Sequence, residues 1–505
     1  MKGPSDMLTD LDPAVAAMVA VRPSPRQLAW QALEFTGFIH FGMNTMTNRE
    51  WGEGHEDPRL FNPEDVDADQ WMSALAAAGM TGVVLTAKHH DGFCLWPSAV
   101  TNHSVASSPW RDGGGDLVRE VADAARRHGL RFGVYLSPWD RTEPSYGSGR
   151  AYDDFYVAQL TELLTGYGDI FCVWLDGANG EGPNGRRQVY DWDRYYAVIR
   201  DLQPGAVISV CGPDVRWCGN EAGHTRSDEW SVVPRALQDA ERIADRSQQV
   251  DDGTFASRVR SDEEDLGSRA ALAGHEDDLA WYPAEVNTSI RPGWFHHPAE
   301  DTAVRTADEL FAIYRSAVGG NAGFLLNVPP TRAGRVADPD IAVLEELGTR
   351  ISGQKRRSLP VTPEISSGAL RGSGGWPLPP MDPPAGLTRP TLDLANGTGW
   401  WEPDRSDDVP RITLRLPEPT VIEAVIVKEE ITQGQRIELG VVTGFLRGDT
   451  VLRAEFGAVG YQRIVQLAST LVDLVTIEIR QSRAVPAIAG VAVVRAQAAS
   501  MQSPD

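Results

Sequence analysis

The chain has 505 residues, 42% hydrophobic and 23% charged, which is ordinary globular composition and excludes a fibrous or wholly disordered protein. Its 47 basic against 70 acidic residues give a formal charge of −23, a field that repels phosphate backbones and argues against nucleic acid as a partner. No apolar run reaches the roughly 18–20 residues of a membrane span, four cysteines are too sparse for a disulfide scaffold, and the first residues lack a signal peptide's layout, so a cytoplasmic protein is expected.

From about residue 30 to 350, apolar strand-like runs alternate with helical patterns. TGFIHFG (36–42) reads as the first strand. A helix over 69–80 follows, with Trp71, Leu75 and Ala78 at helical spacing and Asp69 as its cap. TGVVLTAK (81–88) is the second strand. The next helix carries Leu117, Val121, Ala124, Ala125 and His128 on one stripe, with Gly129 as its stop. LRFGVYLS (130–137), DIFCVWLDG (169–177) and AVISVCG (206–212) are further strands, separated by helices over 152–167 and about 190–203. WYPAEVNTSI (281–290) and NAGFLLNVPP (321–330) are the last two, with a helix near 304–318 between them.

Strands this apolar need helices over them, as in a parallel sheet. Seven such βα units fit an α/β fold, a TIM-like (β/α) barrel with one strand lost or irregular. An open doubly wound sheet would want a GxGxxG turn after an early strand, and none is there. The acidic, weakly patterned segment 213–280 reads as a long loop excursion that serves a site. The barrel with its N-terminal extension takes residues 1–355, and a Pro-, Gly- and Ser-rich linker takes 356–390. Over 391–505, period-2 runs such as ITLRLPEP and LVTIEIRQS predict a C-terminal antiparallel β-sandwich.

In a βα barrel the reactive groups stand where the strands end. Here those positions hold His40, followed by Glu50 and Trp51; His89 and His90; Tyr135; Trp174 and Asp176; Arg216 and Glu221; Glu285; and Asn327. The His89–His90 pair lacks metal-ligand spacing, and neighbours on a strand point to opposite faces, so hydrogen bonding to a hydroxylated ligand is favoured over a metal site. Cys211 and Cys218 have no second pair to make a zinc site. Asp176 at a strand end is either a helix cap or a functional carboxylate. Glycoside hydrolysis needs two carboxylates, one ionised and one holding a proton. Asp176 with a glutamate from another loop fits that division, and Glu221 and Glu285 are both candidates.

The strings GFIHFGMNTMTNREWGEG, TAKHHDGFCLWPS, HGLRFGVYLSPWD, VWLDGANG, VNTSIRPGWFHHP and GFLLNVPP closely resemble the α-L-fucosidases of glycoside hydrolase family 29. The resemblance covers residues from roughly 30 to 350. It implies a barrel followed by a β-sandwich, removal of terminal α-L-fucose with retained configuration, no cofactor or metal, and a fucosylated oligosaccharide as substrate. It implies Asp176 of the WxDG motif as nucleophile and His40, His89 and His90 as fucose hydroxyl ligands. Trp51, Tyr135 and Trp174 would be further members of the fucose pocket, with Glu50 as a neighbour. In the α-1,3/1,4-specific branch, which the GNEAG string resembles most, the general acid/base lies some forty-odd residues after the nucleophile. That position is Glu221, with Glu285 as the alternative and Arg216 and Trp294 as subsite groups. A broad-specificity α-L-fucosidase is the alternative within the family, and two other functional classes compete. One is a non-catalytic sugar-binding protein, for which Trp400 and Trp401 at the start of the sandwich would be the stacking platform. The other is a metal-dependent hydrolase built on His89 and His90.

Overall fold

The structure, a computed structural model, describes residues 11–241, 243, 265–359, 361–371 and 399–497. Two short helices, α1 (Pro13–Ala20) and α2 (Pro25–Gln31), lead into β1 (Phe35–Ile39). From there strand and helix alternate: α3 (Met43–Thr47), α4 (Ala68–Ala77), β2 (Gly82–Lys88), α5 (Leu117–Arg127), β3 (Arg131–Leu136), α6 (Arg150–Gly166), β4 (Cys172–Leu175), α7 (Trp192–Leu202) and β5 (Val207–Val210). These strands are buried on both faces almost throughout, which is why each is a continuous apolar run rather than an alternating one. Aspartates cap α1, α4, α5 and α7. Asp67 accepts from Gln70 N, and Asp116 from Arg119 N. The cap of α4 is thus Asp67, not Asp69. Asp69 sits in the first turn, where its charge also suits the helix N-terminus.

The excursion after β5 contains β6 (Arg216–Trp217) and an antiparallel pair, β7 (Val232–Pro234) with β8 (Leu279–Trp281). The barrel resumes with β9 (Ala284–Ser289), α8 (Ala307–Ala317), β10 (Ala322–Asn327) and α9 (Asp338–Arg356). The sheet runs β5-β4-β3-β2-β1-β10-β9-β6, parallel throughout, and a parallel bridge between Ser209 and Val215 brings its two edges together. The barrel is therefore nearly closed with eight strands, one more than the sequence suggests. The extra strand, β6, has two residues and no room for a periodic signal.

Helix packing is tight enough to demand glycine at one crossing. A Cβ on Gly348 of α9 would lie 1.9 Å from the carbonyl oxygen of Ala77 in α4. Gly348→Ala is expected to cost about 1–3 kcal/mol as an overpacked contact, read as a lower denaturant midpoint with unchanged slope.

The stretch expected as a linker is partly folded. Among its described residues, β11 (Ser358–Leu359), β12 (Pro363–Ile365) and β13 (Ala369–Arg371) pair with the C-terminal strands; 360 and 372–390 lie outside the described residues. These three are edge strands with no apolar run, so composition hides them. The remaining strands are β14 (Trp400–Glu402), β15 (Arg411–Glu429), β16 (Ile437–Leu446), β17 (Asp449–Phe456), β18 (Arg463–Ser482) and β19 (Ile488–Arg495). All their pairings are antiparallel, and β15 and β18 are long strands whose pairing is interrupted by register shifts. Trp401 is wholly buried in that core and donates its indole N–H to Ser367 O at 2.9 Å, so it cannot stack on a sugar. The sandwich is fastened to the barrel by polar contacts, among them Lys428 and the Tyr461 hydroxyl on Glu34 and the Tyr461 amide on Asn321.

Candidate active site

Strand alternation decides which side chains reach the barrel mouth: a residue two beyond an inward one is also inward. Phe38, Tyr135 and Trp174 pack together inside the barrel, with Tyr135 stacked on Trp174 at 5.3 Å and Phe38 also 5.3 Å from Trp174. Two positions further along β1, β3 and β4 stand His40, Ser137 and Asp176. The same count along β9 places Glu285 deep and Asn287 above it.

Asp176 is half-buried, and each of its oxygens meets a donor. The Tyr135 hydroxyl donates to Oδ2 at 2.9 Å and the Ala178 amide to Oδ1 at 2.8 Å. Burial and the Asp176 charge hold the Tyr135 hydroxyl well above the usual phenol range, so it keeps its proton and remains a donor. The carboxylate is thereby fixed in direction, with a lone pair left on each oxygen.

Three histidines surround it. Burial, partly opposed by Asp176, lowers His40 to about 3 and His90 to about 4, and burial beside two other imidazoles holds His89 well below its ordinary value. All three are neutral near pH 7, so each has one N–H, and the hydrogen-bond network assigns it. His40 Nδ1 lies 2.8 Å from Asn327 Oδ1, while the amide nitrogen of Asn327 is committed to Ser289 Oγ and Trp294 O. His40 Nδ1 therefore donates and Nε2 keeps a lone pair. His90 Nδ1 lies 2.7 Å from Ser137 Oγ, which gives its own hydrogen to Trp139 O, so His90 Nε2 is likewise an acceptor. His89 is the reverse: Asn44 Nδ2 donates to its Nδ1 at 3.1 Å, which puts the hydrogen on Nε2. Two acceptors and one donor of fixed orientation suit a ligand with several hydroxyls. Both His89 and His90 join the cluster, their rings 4.1 Å apart, contrary to the strand rule. The strand ends at Lys88, and the turn after it frees both side chains from alternation.

Aromatic rings continue the wall. Trp51 lies edge-on to His90 at 5.7 Å and to Trp139 at 5.3 Å, and Trp294 is 5.1 Å from His40. Trp294 also donates its indole N–H to Glu221 Oε2 at 3.1 Å. Glu221 stands on the loop after β6, a turn folded by Asn220, whose Oδ1 accepts from the Ala222 and His224 amides. Burial pushes the Glu221 carboxyl up to about 8, with the negative charges of Asp176 and Glu50 adding to the effect against the bond from Trp294. It is an acid that keeps its proton near neutrality, beside a carboxylate.

Glu285 is also raised, to about 7, by burial, but it lies deeper in the barrel. It is buried and accepts from Trp174 Nε1 at 2.8 Å, so it holds the indole from within the barrel. Glu50, expected beside the sugar, accepts from the Trp294 and Phe295 amides and from His297, and so fixes the loop that presents Trp294. Arg216, expected as a subsite group, is instead buried in an ion pair with Glu229 at 2.9 Å and also donates to Trp230 O. A carboxylate as buried as Glu229 would be strongly destabilising without a cationic partner, and Arg216 supplies one. Ser137, Phe295 and His297 also line this site, and no motif of their own marks them in the sequence. Ser137 was within reach of it, two residues past Tyr135. The other two act through a loop whose contacts span hundreds of positions.

The chain has relatives among known proteins. The family model described as α-L-fucosidase matches residues 23–354. The chain is similar to α-L-fucosidase 1 of Arabidopsis thaliana, 40% identical over 416 residues, which is 82% of this chain and 75% of the relative. Among solved structures it is similar to SpGH29 (31% identity, TM-score 0.78, covering 94% of this chain and 99% of that one). It is also similar to a Ruminococcus gnavus GH29 fucosidase in complex with fucose (27% identity, TM-score 0.77, covering 97% and 96%).

Proposed function

The chain belongs to the α-L-fucosidase family and is a glycoside hydrolase acting on α-L-fucosides; from that premise we propose that it is a retaining exo-enzyme selective for terminal α-1,3/1,4-linked fucose on Lewis-type glycans. One observation supports a two-carboxylate mechanism: a carboxylate oriented by two donors (Asp176) lies near enough to a protonated carboxyl (Glu221) for the charge of one to raise the other, and the retaining course is what the family resemblance implies.

The division of labour follows from those states. Asp176 attacks C1 of fucose from the face opposite the leaving sugar and forms a covalent ester. Glu221 gives its proton to the departing oxygen, then takes one from the water that hydrolyses the ester. A retaining pair works at about 5–5.5 Å between carboxyl groups when substrate is bound. His40 and His90 accept from fucose hydroxyls through Nε2, and His89 donates through its own. Fucose carries a methyl group where most hexoses carry CH₂OH, and the Trp and Phe rings of the wall offer it an apolar contact.

Protonation sets the pH limits. Glu221 must hold its proton in the first step, so kcat/KM is expected to fall as pH rises through about 8. A profile flat to pH 10 would contradict the assignment. Linkage preference rests on the loop position of Glu221 and the GNEAG string. Its test is release of fucose from Lewis trisaccharides, 2′-fucosyllactose and a simple aryl fucoside. Faster cleavage of the Lewis sugars is expected, whereas equal or faster cleavage of the 1,2-linked sugar would overturn the preference.

A further inference from the structure

The loop that carries Glu221 begins at β6 and runs to Arg226, and both its ends meet one buried carboxylate. Arg216 Nη2 donates to Glu229 Oε2 at 2.9 Å, and Arg226 Nη1 donates to Glu229 Oε1 at 3.0 Å. Arg226 Nη1 also reaches into the loop, to Cys218 O at 3.1 Å. The side chain of Glu229 is 1% exposed and those of Arg216 and Arg226 are 6% and 7%. Burial alone would raise the Glu229 carboxyl; the two guanidiniums outweigh it and hold it below the usual carboxylate range, so the group is ionised. Glu229 is itself held from two sides. Asn321 of the barrel donates to its carbonyl at 2.8 Å. The next two residues meet the sandwich: the Arg483 guanidinium lies 4.1 Å over the Trp230 ring, and the Ser231 amide donates to Gln435 Oε1 at 2.8 Å.

A buried Arg–Glu–Arg set contributes little to stability that apolar packing would not give equally well, because three charges leave water to form it. Its particular effect is geometric: it fixes the two ends of one loop on a single anchor. We propose that Glu229 is a positioning residue for the proton donor, clasping Arg216 and Arg226 so that Glu221 stands over the bond that Asp176 attacks. This rests on Glu221 being the acid. The sandwich, through Arg483 and Gln435, backs that clasp and so takes part in catalysis at a distance.

The test uses the full chain and two substrates. Phenyl α-L-fucoside has a leaving group that needs a proton; 2,4-dinitrophenyl α-L-fucoside has one that does not. Glu229→Gln keeps the side chain's size and removes its charge. It is expected to lower kcat/KM about 10²-fold on the phenyl substrate, the scale of a displacement of about 1 Å, and less than about threefold on the dinitrophenyl one. A merely structural role would lower both equally, in proportion to folded enzyme. Should Glu229→Gln not fold, Arg226→Met, which leaves the Arg216–Glu229 pair intact, is expected to show the same split, with Arg226→Lys recovering part of the loss. Equal losses on both substrates, or none on the phenyl substrate, overturn the proposal. Glu221→Gln measured alongside separates the two ideas: a split there without one in the Glu229 and Arg226 variants rejects the clasp alone, and no split in Glu221→Gln rejects the acid assignment and the clasp with it.

Discussion

Asp176→Ala is expected to abolish turnover, lowering kcat about 10⁴–10⁶-fold, because no other group can form the covalent intermediate. The structure explains why nothing substitutes. Asp176 alone is held by the Tyr135 hydroxyl and the Ala178 amide at the mouth of β4, while Glu285 is engaged by the Trp174 indole within the barrel. The alanine leaves a space that a small anion can enter. Added azide is therefore expected to restore part of the rate and to yield β-L-fucosyl azide, the product of a single displacement. The fold should be unaffected, since Asp176 is partly exposed and, among the described residues, its only approach to a basic side chain within 4 Å is the 3.9 Å to the neutral His90. Loss of less than about tenfold, measured on enzyme free of wild type, would remove Asp176 from the mechanism.

Glu221→Gln carries the second largest effect. Glutamine matches the size of the acid and can still accept the Trp294 indole N–H, but it has no proton to give. Loss of general-acid catalysis costs about 10²–10⁴-fold on Lewis trisaccharides, and far less on substrates whose leaving group departs unaided. The fall in rate through about pH 8 should vanish with it, because the group that titrates there is gone. Azide should now intercept the covalent intermediate and give the α-azide, the opposite anomer to that from the Asp176 variant. The same anomer from both variants would mean that the two roles are wrongly divided.

Some of this was legible in the sequence and some was not, for physical reasons. The barrel strands announce themselves because burial on both faces makes each an unbroken apolar run. β6 is two residues long and could not. Period-2 counting reaches His40, Ser137 and Asp176 from Phe38, Tyr135 and Trp174, but it fails at His89 and His90, where the strand has already ended. Composition read 356–390 as a linker because edge strands such as β12 and β13 are exposed and carry no apolar pattern. The choice between Glu221 and Glu285 is not written in local sequence. It depends on which carboxyl feels the charge of Asp176 and which is buried against Trp174 inside the barrel, contacts between residues far apart in the chain. Arg216 misled for the same reason: a charged residue at a strand end reads as a ligand group until its buried partner, Glu229, is seen.

The most direct measurement is to trap the intermediate. A 2-deoxy-2-fluoro-α-L-fucosyl fluoride slows both steps and lets the covalent ester accumulate for peptide mass spectrometry. The label is predicted on Asp176, absent from Asp176→Ala and more abundant in Glu221→Gln once formed, because no base remains to activate water. A label on Glu221 or Glu285, or turnover with no covalent species and β-fucose as the first product, would contradict the account.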